Sequence, residues 1–125
     1  MTAARLVIGK AARDAEPFRG WVLGHFVPPE LGLRATDAVE VKWATHALGE
    51  TRSAWATSMQ ATSLSVLIRG CIRIFFATGE EALLAEVGDY VLWPPGLAHH
   101  WQIEQDETIV LTVRWPSVAG DVVSS

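Results

Sequence analysis

The sequence predicts an all-β fold, a sandwich or barrel of short antiparallel strands. Three observations carry this expectation. Stretches of alternating apolar and polar residues recur about every eight to twelve positions. Glycine and proline punctuate them, and no segment sustains the 3.6-residue period of a helix. The length of 125 residues suits one domain around one core.

The strands follow in order. Residues 1–17 mix charge with alanine, and Pro17 ends any local helix there. GWVLGHFVPPELG holds a short strand from Trp21 to Val27, stopped by Pro28-Pro29. VEVKWATH, from Val39 to His46, alternates Val39, Val41 and Trp43 against Glu40, Lys42 and Ala44. After the GETR turn comes SAWATSM, then SLSVLIRG, where Ser63, Ser65 and Leu67 share one face. Arg69-Gly70 is a tight corner into CIRIFFA. A short strand over Glu81–Glu86 precedes Gly88-Asp89, which turns the chain into YVLW. Pro94-Pro95-Gly96 turns it again into HHWQIE, and Gln105-Asp106-Glu107 leads into TIVLTVRW. An immunoglobulin-like sandwich is the competing all-β arrangement, but the single cysteine cannot supply its Cys–Trp–Cys spacing.

Composition narrows the function. Half of the residues are hydrophobic and the mean hydropathy is +0.22, which suggests a filled core plus apolar surface given to a partner subunit. A homodimer is therefore expected, with the N-terminal strand adding to the partner's sheet. The formal charge of −4 and the lack of any basic run argue against nucleic acid. One cysteine, Cys71, excludes a disulfide framework and a Cys-rich zinc site, and it reads as a buried small hydrophobe. The N-terminal residues hold no apolar core of signal-peptide length, and no apolar run nears the ~18 residues of a membrane span. The expectation is a cytoplasmic protein with no membrane partner.

The spacing becomes specific at GDYVLWPPGLAHHW. Gly88, five residues, Pro94, one residue, Gly96, two residues and His99 reproduce the second sequence motif of the cupin family, except that Ile103 stands at its final Asn position. Gly49 and Gly70 fit the opening and closing glycines of the first motif. The stretch from about 36 to 116 thus resembles a cupin. The resemblance implies a double-stranded β-helix, a jelly-roll barrel of two packed antiparallel sheets. It also implies a layout: an N-terminal arm over 1–35 packing on the barrel, the barrel over 36–116, and a C-terminal tail over 117–125. The runs VEVKW, GDYVLW and VRWPS are also similar to a small bacterial cupin subgroup with which no established reaction is associated.

The first motif keeps its glycines and loses its metal ligands. Counted from Gly49, its His-x-His positions are Trp55 and Thr57; counted back from Gly70, its glutamate position is Ser63. Only His99 remains of the four ligands the family uses. One imidazole is a poor divalent site. No cofactor is expected and no metal at the standard position. The alternative is a divalent transition metal bound by His99 with His46 or His25.

His99 has three readings: an orphaned ligand, a general base with a reference pKa near 6.5, or a structural hydrogen-bonding residue. Period two sends His99 and Trp101 inward and His100 outward. Thr57 and Ser63 are expected beside them. Trp55 either plugs the barrel as core or offers a flat wall to a ring-shaped ligand. Lys42, with Glu40 and His46, is a solvated stripe if its face points outward and an anion-holding site if it points inward. Arg114 carries the same pair of readings. Three functions follow: a small-molecule binder or sensor; a cupin enzyme, either a metal-free isomerase, epimerase or cyclase using His99 or a dioxygenase with an atypical ligand set; or a dimerisation module with a filled barrel.

Overall fold

The computed structural model describes residues 6–124. Ten strands form two five-stranded antiparallel sheets. A single-turn helix α1 (Ala11–Ala15) and a 3-10 turn containing Pro17 precede them. One sheet has the order β1 (Trp21–Leu23), β2 (Glu40–His46), β9 (Thr108–Trp115), β4 (Thr62–Arg69), β7 (Tyr90–Trp93). The other has the order β10 (Val122–Ser124), β3 (Thr51–Ser58), β8 (His99–Ile103), β5 (Ile72–Phe76), β6 (Glu81–Leu84). Between β2 and β9 the chain stays within one sheet only for the β5–β6 hairpin; every other connection crosses from sheet to sheet. This is a jelly roll.

Those crossings explain the turn residues. Gly70, between β4 and β5, has a φ of 91°. A Cβ there would lie 2.2 Å from Thr108 Oγ1, so only glycine fits. Gly96 takes a φ of 84° at the Pro-Pro-Gly corner and donates its N–H to the Ser58 carbonyl at 2.8 Å. That bond ties the start of β8 to the end of β3.

The first strand departs from expectation in its extent. The first strand ends at Leu23, not Val27, because Gly24 swings to a φ of 136° and bridges to Ala35. It pairs with β2 of its own chain, Trp21 opposite Lys42 and Leu23 opposite Val41, and stands at the edge of its sheet. The positive-φ Gly20 turns the chain back so that its carbonyl accepts the Trp43 N–H. The expected tail contains β10, which pairs with β3. Asp121 anchors it, its carboxylate accepting the Gln60 and Ala61 N–H groups at 2.7 and 3.1 Å.

The core gathers Leu67, Ile72, Ile74, Phe76, Leu84, Trp93, Ile103 and Val110. Ile103, at the motif's Asn position, is one of its members. The inner face of the β1-to-β7 sheet becomes polar away from Leu67 and Val110. Its cross-strand rows there are Lys42–Thr112–Ser65–Val91 and Glu40–Arg114–Ser63–Trp93.

Candidate functional site

A cavity of about 110 Å³ lies between the sheets. The two polar rows supply Lys42, Thr112, Ser65, Arg114, Ser63 and Trp93 to its wall. The opposite sheet supplies Arg52, His99 and Trp101, with Ile72 and Ile74 as an apolar floor. Ladder register places them: Arg52 is opposite Trp101, Trp101 opposite Ile74, and Ala56 and Phe76 opposite His99. Rings join the sheets, with Trp93 4.9 Å from His99 and 5.3 Å from Phe76 between centroids.

Four buried polar atoms at this cavity lack an aligned hydrogen-bond partner among the described residues: Ser63 Oγ, Trp93 Nε1, His99 Nδ1 and Arg114 Nε. Arg114 Nε is ion-paired with Glu40 Oε2 at 2.8 Å, so of these four only Ser63 Oγ, Trp93 Nε1 and His99 Nδ1 are without any partner among the described residues. Burying an unpaired polar group costs about 1–3 kcal/mol, so Ser63 Oγ, Trp93 Nε1 and His99 Nδ1, all on residues that line this cavity, are a costly set to leave without partners.

Charge sharpens the picture. Among the described residues three cations, Lys42, Arg52 and Arg114, line the cavity and no carboxylate does. Burial, then Arg114, Arg52 and Arg19, push the Lys42 ammonium below its ordinary range. Burial also lowers Arg114, against the pull of Glu40. His99 is pushed down to about 4, by burial first and then by Arg52 and Arg114. It is a neutral imidazole at neutral pH. The guanidinium of Arg114 and the ammonium of Lys42 both rest on the Trp21 ring, at 4.7 and 5.6 Å from its centroid.

The sequence-chosen residues divide between two faces. His99, Trp101, Ser63, His46, Lys42 and Arg114 meet at the cavity. The solvated-stripe reading of Lys42, Glu40 and His46 gives way, since that face points between the sheets and Glu40 is 4% exposed. Trp55 and Thr57 do not line the cavity. Ala56 pairs opposite His99 and shares its inward face, so both of its neighbours point away. Trp55 meets His100 edge-on at 4.6 Å, and Phe75 stacks on the same imidazole at 4.7 Å. Trp55 is thus neither plug nor ligand wall. His25 is also outside the cavity, with Nδ1 2.7 Å from Ser117 Oγ and 3.5 Å from Glu40 Oε1. Arg52 and Trp93 are the wall residues that sequence reasoning passed over. Arg52 sits in what reads as a turn, and only its register opposite Trp101 reveals its side.

These residues do not fit the divalent metal that this position implies. Among the described residues no three His, Cys, Asp or Glu side chains cluster. The donors at hand are His99 and His46, set among three cations that repel a further positive charge. His46 Nδ1 is in addition 3.3 Å from Glu50 Oε1.

Known proteins match this chain by structure. No family model matches the sequence, and no curated protein matches it significantly. A double-stranded β-helix protein from Klebsiella pneumoniae, described as uncharacterized and conserved, superposes with a TM-score of 0.62 at 21% identity, over 72% of this chain and 76% of that one. A cupin protein from Bacteroides fragilis superposes at 0.59 and 17% identity, over 69% and 72%. The fold is that of a cupin. The cupin fold also relates the chain to the DMSP lyase DddQ from Ruegeria pomeroyi DSS-3, with a TM-score of 0.61 and 15% identity over 70% of this chain. This chain spans 43% of that lyase. Solved cupin-fold neighbours therefore include an enzyme. Among the described residues no helix is long and apolar enough to cross a membrane.

Proposed function

We propose that this protein binds a small molecule inside the barrel, as a binder or sensor that does not rely on the standard cupin metal. The supporting observation is that Ser63 Oγ, Trp93 Nε1 and His99 Nδ1, on three residues that line one cavity, are buried without a hydrogen-bond partner among the described residues. A filled dimerisation module has no use for these groups. The setting of the proposal is a cytoplasmic homodimer, in keeping with one cysteine and an apolar surface. To test it, 15N-labelled protein is titrated with a library of metabolite-sized compounds while the indole N–H signals of Trp93 and Trp101 are followed. A binder moves both. His99→Ala weakens that binder while the barrel still folds, and His100→Ala leaves it unchanged. A library in which nothing moves either indole sinks the reading.

One observation favours a second reading, a metal-free cupin enzyme. His99 is neutral and lines the cavity, and its Nδ1 is buried without a partner among the described residues. A neutral imidazole accepts a proton from a bound substrate and returns it elsewhere, which suits isomerisation, epimerisation or cyclisation. Following each binder for conversion separates the readings. His99→Gln then abolishes conversion with binding retained, and conversion that survives the change excludes His99 as the base.

A further inference from the structure

Given the reading of the barrel interior as a ligand site, we propose that the ligand is a small organic anion whose carboxylate is held by Arg52, Lys42 and Arg114.

The argument begins with charge balance. Glu40 is the acid paired with Arg114, and its oxygens are committed. Oε1 accepts the Ser117 hydroxyl at 2.8 Å and Oε2 pairs with Arg114 at 2.8 Å. Neither Lys42 nor Arg52 pairs with a carboxylate among the described residues. The Arg52 guanidinium has one neutral partner, Ser124 Oγ at 3.0 Å. Two cations thus line the same space as Arg114, with no acid among the described residues of its wall. Partly buried like charges raise each other's energy, and an anion between them removes that cost.

Hydrogen bonding points the same way. Trp93 Nε1 can only donate and has no partner, and Arg114, whose Nε is taken by Glu40, can only donate from its two terminal nitrogens. The Ser63 hydroxyl lies in the same cross-strand row, between Trp93 and Arg114. A row of donors suits a group rich in lone pairs, and an ionised acceptor makes the stronger bonds.

The opposite wall selects an organic ligand. Ile72, Ile74, Val110 and the Trp101 ring add apolar wall to the cavity, which offers nothing to a fully hydrated inorganic ion. Size limits the body to a few carbons. An apolar cavity of about 150 Å³ takes up benzene, and this one measures about 110 Å³.

The test uses malonate and its neutral isostere malonamide on the unmodified protein at low salt, read by the Trp93 and Trp101 indole signals. Malonate is expected to shift both signals saturably, and malonamide is expected to leave them in place. Arg52→Gln should weaken malonate by at least about tenfold, the loss typical of one charged hydrogen bond, and Arg52→Lys should recover part of it. Malonamide that binds as well as malonate overturns the anion and leaves the cavity reading intact. Unchanged malonate affinity in Arg52→Gln overturns the assignment of Arg52. Inorganic phosphate that matches malonate overturns the organic part of the proposal. If neither malonate nor malonamide moves an indole, while another compound of the library does, the carboxylate is wrong; if no compound does, the ligand site itself is wrong.

Discussion

Glu40 shows how much depends on single charged groups at the barrel mouth. It is almost fully buried and holds three elements together, through Arg114 of β9, Ser117 beyond it, and His25 of the N-terminal segment. Replacing Glu40 by Gln keeps the shape and removes the charge. Arg114 is then buried beside Lys42 and Arg52 without its counter-ion. Breaking a buried pair in this way costs about 3–5 kcal/mol. Urea unfolding should therefore show a loss of that order, and a change under about 1 kcal/mol would rule out Glu40 as the clamp. His99 makes a pH-dependent contribution of its own. Its folded pKa of about 4 lies below the ordinary 6.5, so between these values the unfolded chain binds more protons than the folded one. Stability from His99 is complete above pH 6.5 and falls as pH drops toward 4. The upper bound is about 3 kcal/mol, from 1.36 kcal/mol per unit. His99→Gln should flatten the slope of unfolding free energy over this window, and an identical slope in the variant would remove His99 as its source.

At the scale of elements, turns decide which side chains reach the cavity. The β4–β5 corner brings Gly70 against the backbone of Thr108. Thr108 is fully buried and cannot yield. Its Oγ1 accepts the Cys71 N–H at 3.1 Å and donates to the Gln105 carbonyl at 2.7 Å. Gly70→Ala adds both positive-φ strain and a clash, and should lower stability by about 3 kcal/mol or more. A melting temperature equal to that of the unaltered protein would show that the corner is looser than its geometry. The Pro94-Pro95-Gly96 corner acts on function in the same manner. Proline restricts the approach, Gly96 supplies the turn, and its bond to Ser58 sets β8 so that His99 and Trp101 enter the barrel.

For the whole molecule, the outer surface of the β1-to-β7 sheet is the outstanding feature. Its rows Val41–Val113–Leu64–Leu92 and Trp43–Leu111–Val66–Tyr90 contain no charged residue. Leu92 and Tyr90 are more than half exposed. A neutral, apolar sheet face is complementary to itself, and packing two copies about a two-fold axis buries both. We propose that the expected homodimer forms here, with the N-terminal strand kept in its own sheet. Light scattering at micromolar concentration should give twice the chain mass, and Leu92→Lys together with Val66→Lys should give a monomer whose cavity still binds. A dimer that survives both lysines places the interface elsewhere.

Period two, glycine and proline were enough to place nearly every strand, because alternation and turn chemistry are local properties of the chain. The second cupin motif likewise located His99 and Trp101, since strand parity carries over from the corner at Gly96. The first motif shows where locality ends. Counting from Gly49 points to Trp55 and Thr57, while the register of Ala56 opposite His99 turns both outward. Register shifts between Arg52 and Ala56, and no residue pattern announces that shift. β4 inverts the usual rule: its inner face carries Ser63 and Ser65 and its outer face Leu64, Val66 and Ile68. Arg52, Lys42, Ser63, Trp93 and Arg114 come from five strands, and nothing in their spacing brings them together. Only the pairing of β2 with β9, β9 with β4 and β4 with β7 sets three of those side chains in one row, and only the closure of the second sheet over them makes that row a cavity. Local alternation chose the strands, and long-range register chose the site.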